Sequence, residues 1–78
     1  MNAITTEKAE QLTCWIIDTF NVNVSSTDVF DAVKKLQELG SGDYQIFGDA
    51  FCEFNHVTLI LTVDGVFYVS KDIRVFGL

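Results

Sequence analysis

Val57-Thr58-Leu59-Ile60-Leu61-Thr62-Val63-Asp64-Gly65-Val66-Phe67-Tyr68-Val69-Ser70 is the stretch that decides the fold. β-Branched and aromatic residues dominate both flanks of Asp64-Gly65, and that dipeptide is a strong hairpin signal. A two-residue type I′ turn needs positive φ at both central positions, which Asp tolerates and Gly adopts freely. The reading is a strand over 57–63, a tight turn, and a returning strand over 66–70. A two-residue loop pairs Val63 with Val66, Leu61 with Tyr68 and Leu59 with Ser70. Because side chains alternate, these residues share the more apolar face, which is expected to pack on helices. The other face then carries Thr58, Ile60 and Thr62 across from Phe67 and Val69. Ile60, Phe67 and Val69 are therefore expected together as an apolar interface, either for a homodimer or for another protein. The bland alternative is ordinary half-exposed strand residues. A small domain gains from association, since it buries only about 60% of its unfolded surface on folding.

Working outward, residues 44–47 read as a strand that Gly48-Asp49 breaks, and 50–54 resume it. Asn55-His56 reads as a turn, Lys71-Asp72 as another, and 73–76 as a last edge strand. The first half has a different period. Ala9, Leu12, Ile16 and Phe20, with Trp15 beside them, form one helical stripe over about 7–20, with Thr5 or Thr6 as the N-cap and Glu7 in the first turn. Residues 21–26 form a connection in which Val22 or Val24 plugs the space under the turn. Val29, Ala32, Val33, Leu36 and Leu39 mark a second helix, capped by serine and stopped at Gly40. Two helices followed by a strand meander predict an α+β domain. Two N-terminal helices pack on one face of a C-terminal antiparallel sheet of three to five strands, as one compact domain over 1–78.

Composition removes several classes. The 78 residues are 49% hydrophobic and 13% aromatic, too apolar for a disordered chain. No apolar run approaches the roughly 18 residues of a membrane span, and the N-terminus lacks signal-peptide order. Five bases against eleven acids give a net charge of −6, so direct nucleic-acid binding through a basic face is not expected. Two cysteines in a chain this short suit a reducing cytoplasm better than a secreted disulfide scaffold. Cys14 and Cys52 are expected as buried thiols, with a single bridge between them as the alternative.

Catalytic constellations are thin. His56 pairs with Cys52 or Cys14 only if the fold brings them together, and neither thiol sits in a motif that lowers its pKa. Metal-ligand spacing of the C-x-x-C or H-x-x-x-H kind is absent, the acids do not form an EF-hand loop, and Gly40-Ser41-Gly42 lacks the Lys of a phosphate loop. No cofactor is expected, and the chain is not expected to be an enzyme.

Charge distribution is more telling. Between Leu36 and Ser70 there are five acids and no Lys or Arg. Glu38, Asp43, Asp49 and Glu53, with Tyr44 among them, are the residues expected to meet a basic protein partner. Carboxylates would occupy the positions phosphates take on a nuclease or defence effector, and Tyr44, Phe47, Phe51 and Phe54 are candidate anchors. The simpler account is a solvated surface that keeps an apolar chain soluble, with the aromatics in the core. In size, acidity and absence of catalytic motifs the chain resembles the small inhibitors of phages and mobile elements. Anti-CRISPR and anti-restriction proteins, and the immunity proteins of nuclease toxins, share this composition. The resemblance implies a non-enzymatic inhibitor that blocks a larger, nucleic-acid-binding protein; a structural or regulatory homodimer is the alternative.

Overall fold

The structure, a computed structural model, describes residues 3–48 and 56–71, the side chain of Lys71 excepted. Helix α1 spans Thr6–Phe20 and α2 spans Ser26–Leu39. Strands β1 (Gly42–Phe47), β2 (His56–Leu61) and β3 (Phe67–Lys71) form an antiparallel sheet in the order β1-β2-β3. The chain is thus an α+β arrangement of two helices followed by a three-stranded meander. Residues 50–54 and 73–76, read as further strand segments, lie outside the described residues.

Each helix begins and ends where its polar punctuation stands. Thr5 Oγ1 accepts from the Lys8 N–H at 3.2 Å, and Ser25 Oγ accepts from the Asp28 N–H at 3.1 Å. Both caps satisfy a backbone donor that has no partner inside the helix. Asn21, left-handed at φ 57°, ends α1 with its N–H on the Ile17 carbonyl at 2.9 Å. Gly40, at φ 90°, ends α2 in the same manner on Leu36 at 2.8 Å. Farther along, the Ile4 N–H donates to Gln37 Oε1 at 3.0 Å and ties the segment before α1 to α2.

The core is the inward face of the sheet closed by α2, with Ile16 of α1 behind it. Ile46, Val57, Leu59 and Leu61 meet Val29, Ala32, Val33 and Leu36, all buried. Val22 and Val24 of the connection are buried as well, as the plug reading anticipated. Two stripe positions differ from expectation. Leu39 is exposed at the last residue of its helix, and Trp15 is 48% exposed, lying edge-on to Phe20 with ring centroids 5.5 Å apart. In their place Thr13 is buried, its hydroxyl donating to the Ala9 carbonyl at 2.6 Å. An i to i−4 bond of this kind lets a threonine enter an apolar helix face.

The hairpin corrects the sequence reading. Observed pairs are Leu61 with Phe67, Ile60 with Tyr68, and Leu59 with Val69, one residue out of step with a two-residue loop. Thr62 and Val66 close a loop of Val63, Asp64 and Gly65, with the Thr62 N–H on the Val66 carbonyl at 3.0 Å. The Gly65 N–H returns to the Thr62 carbonyl at 2.9 Å. Gly65 alone is left-handed there (φ 86°), whereas Asp64 keeps negative φ. That is the three-residue loop with a glycine bulge, which spares Asp64 the strained conformation. A slip of one residue turns every side chain over. Phe67 and Val69 therefore face inward and pack partly buried on the core, while Tyr68 faces outward beside Ile60. Ile60, Phe67 and Val69 do not form one face, and the apolar interface read from them is not present. The apolar pattern decides the register: inward Phe67 and Val69 contribute burial that Tyr68 and Ser70 could not.

His56 also departs from expectation. It is not a turn residue but the first residue of β2, opposite Phe47 and buried at 4% exposure. Lys71, read as a turn residue, ends β3 opposite Val57.

Candidate functional site

Of the five residues expected to meet a partner, the three described, Glu38, Asp43 and Tyr44, stand on different sides of the fold. Glu38 is exposed near the end of α2, where it lines a shallow groove with Ala3, Lys34 and Gln37. Lys34, one helical turn before Glu38, gives that surface mixed charge. Asp43 is exposed on β1 and belongs to the outward side of the sheet, opposite Ile60. Tyr44, its neighbour, turns to the helix side yet stays 43% exposed, because α2 does not cover its ring. Asp49 and Glu53 lie outside the described residues.

Around Tyr44 the fold assembles a groove absent from the sequence reading. After Gly40 reverses the chain, β1 runs back along α2, so its end comes beside the start of the helix. Asp28 and Asp31 of α2 then line a groove of about 230 Å3 with Tyr44, Gln45, Ile46 and Phe47 of β1. Asp28 and Asp31 are three residues apart and therefore project from one helix face. Both are exposed, and no ion pair among the described residues neutralises either carboxylate. Phe47, at 58% exposure, borders the far end of the groove, with its ring on the outward side of the sheet 5.3 Å from that of His56. The i, i+3 spacing of the two acids was readable in the sequence. What pairs them with Tyr44 is the path of β1 along α2, which no local pattern encodes.

The outward face of β2 holds the other unusual groups. His56 and Thr58 are both buried, and neither ring nitrogen of His56 nor Thr58 Oγ1 has a hydrogen-bond partner. Cys14 is an exposed free thiol on α1, contrary to the buried thiol expected, so no bridge to Cys52 exists and no hydrogen bond links Cys14 to His56. Cys52 lies outside the described residues. Among the described residues no group of three His, Cys, Asp or Glu side chains is placed to hold a metal ion. No described helix is long and apolar enough to cross a membrane.

A second groove, larger and mostly apolar, lies between the start of α1, α2 and β3. Ile4, Leu12, Val33 and Phe67 line it, with Lys8 and Gln37 at its polar margin. It exists because α1 packs on α2 rather than over β3, leaving Phe67 incompletely covered.

The chain matches no protein-family model, no curated protein and no solved structure.

Proposed function

We propose that the chain is a non-enzymatic acidic binding protein that blocks a larger basic, nucleic-acid-binding protein. The observation that carries this reading is the groove of Asp28 and Asp31 beside exposed Tyr44, with Asp43 and exposed Phe47 on the other side of the same strand. Un-neutralised carboxylates next to exposed rings suit a cationic protein surface. The acids steer and orient the encounter, and the rings supply contact area of the kind that anchors interfaces. The net charge of −6 extends this preference over the whole molecule, favouring association with basic partners and repelling nucleic acid itself. Such a protein takes the place of phosphates on its target, as phage and mobile-element inhibitors such as anti-CRISPR proteins and nuclease immunity proteins do. It would act in a reducing cytoplasm, where Cys14 stays a thiol.

The test is competition. A basic nucleic-acid-binding protein recovered with the chain from host lysate should lose its nucleic acid when the chain is added. Association should slow as salt rises, because screening weakens charge steering beyond roughly 8 Å at physiological ionic strength. Asp43→Lys should lower the association rate more than it raises the dissociation rate. Recovery of no basic protein, or binding indifferent to salt and to Asp43→Lys, would sink the reading.

A further inference from the structure

We infer that the edge of β1 left unpaired among the described residues is a docking strand for an extended cationic segment of the partner protein, which adds to the sheet and places Arg or Lys side chains in the groove between β1 and α2. The inference rests on the functional reading above and specifies how contact is made.

Strand β1 pairs with β2 through six consecutive residues, Gly42 to Phe47, without a break in register. On its other side no strand stands among the described residues. Exposed edges are normally blunted by Lys, Pro, a bulge or a covering element, since their unpaired N–H and C=O groups template further pairing. Gly42-Asp43-Tyr44-Gln45-Ile46-Phe47 has no Lys and no Pro, its ladder has no bulge, and all but Ile46 are exposed.

Charge selects what such an edge accepts. Side chains of an added strand alternate between the two faces of the sheet. Those on the helix side enter beside Tyr44 and meet Asp28 and Asp31; those on the outward side pass Asp43, Gln45 and Phe47. The groove lining holds no Lys or Arg, and neither does β1; Lys35, one helical turn past Asp31, stands outside that lining. A basic side chain therefore finds a carboxylate on either face. Tyr44 and Phe47 add exposed ring surface on which a guanidinium can stack. A second copy of the chain is the natural competitor for an open edge. Antiparallel pairing of two β1 strands would bring two Asp43 side chains, and the acidic grooves of both copies, to one seam. Like charges so placed oppose self-pairing, as they do between neighbouring strands. The same argument rejects acidic segments and nucleic acid.

The experiment titrates the full chain, labelled for amide NMR, with an octapeptide of alternating Arg and Val. Two controls accompany it: the same peptide N-methylated at alternate residues, which cannot complete a strand ladder, and an alternating Glu-Val octapeptide. Shifts should concentrate at the amides of residues 42–47. N-methylation should weaken binding at least about tenfold, since strand addition draws its affinity from main-chain hydrogen bonds. Asp28→Asn with Asp31→Asn should weaken it by about tenfold and flatten its salt dependence, with spectral dispersion retained. Absence of peptide binding, shifts centred elsewhere, equal binding of the N-methylated or Glu-Val peptide, or an unaffected double variant would each overturn the inference. So would shifts at 42–47 that follow chain concentration alone, which would mark a second copy as the occupant. A whole basic partner that binds in a salt-dependent way with shifts away from 42–47 would overturn the docking strand and leave the functional reading intact. A peptide that binds the edge as described, while no basic protein is captured, would retain the docking strand and reject the blocking function.

Discussion

Thr58 sits at the middle of the central strand with its hydroxyl buried and unpaired. A buried hydroxyl without a partner costs about 1–3 kcal/mol. Thr58→Val keeps the branched shape and removes the oxygen, so it should stabilise the fold by about 1 kcal/mol. A rise in the urea midpoint at unchanged m-value checks this. Gly48 shows the opposite constraint. A Cβ there would lie 2.8 Å from Val22 Cγ1 and 3.2 Å from the backbone N and O of Asn23. Val22 is fully buried and the Asn23 contacts are backbone, so neither has room to yield. Gly48→Ala should cost about 1–3 kcal/mol, the usual range for overpacking, read as a lowered melting temperature. The sequence presents Gly48 as a strand breaker; its closeness to the α1–α2 connection is a tertiary fact.

At the scale of elements, legibility followed locality. Both helices, the threonine cap of α1, the serine cap and glycine end of α2, and the buried Val22 and Val24 were readable, because each depends on residues within a few positions. Ser25 illustrates the point: its cap on Asp28 is written in the sequence, and Ser25→Ala should destabilise the protein by about 0.5–2 kcal/mol in a denaturant titration. The hairpin was legible as a hairpin but not in register. Asp64-Gly65 satisfies two loop types, and only the inward demand of Phe67 and Val69 chooses between them. The candidate groove was legible in half. Tyr44 and Phe47 were marked in the base-free stretch, whereas Asp28 and Asp31 were not, since their meeting with β1 depends on the turn at Gly40. His56 was misread because an Asn-His dipeptide looks like a turn and its burial arises from the sheet.

Across the whole molecule, the core is small and shared. Total stability for 78 residues is expected near 4–12 kcal/mol. Leu59, fully buried in the central strand, contacts both the strands beside it and the helix layer above. Leu59→Ala should therefore remove about 2–5 kcal/mol, a large share of the total, and leave a measurable unfolded fraction by circular dichroism at 37 °C. The surface makes no such contribution. Its acids are spread over exposed positions, with little to gain from one another. The β1 edge and its flanking carboxylates can change with small effect on folding, so binding and stability are separable by mutation.

The hairpin apex leaves an allowance in chain length. Val63, 84% exposed, is the one loop residue that a two-residue turn would dispense with. Deleting it leaves Thr62 and Val66 facing each other across Asp64-Gly65, the pair best suited to a type I′ turn. Because the pairing of Leu61 with Phe67 is unaltered by that deletion, no side chain changes face. The shortened protein should fold with the same amide pairing between β2 and β3, seen as unchanged cross-strand contacts by NMR. A natural lineage could lose or gain a residue at this apex while its core stays as it is, so loop length there is free to drift where length within either strand is not.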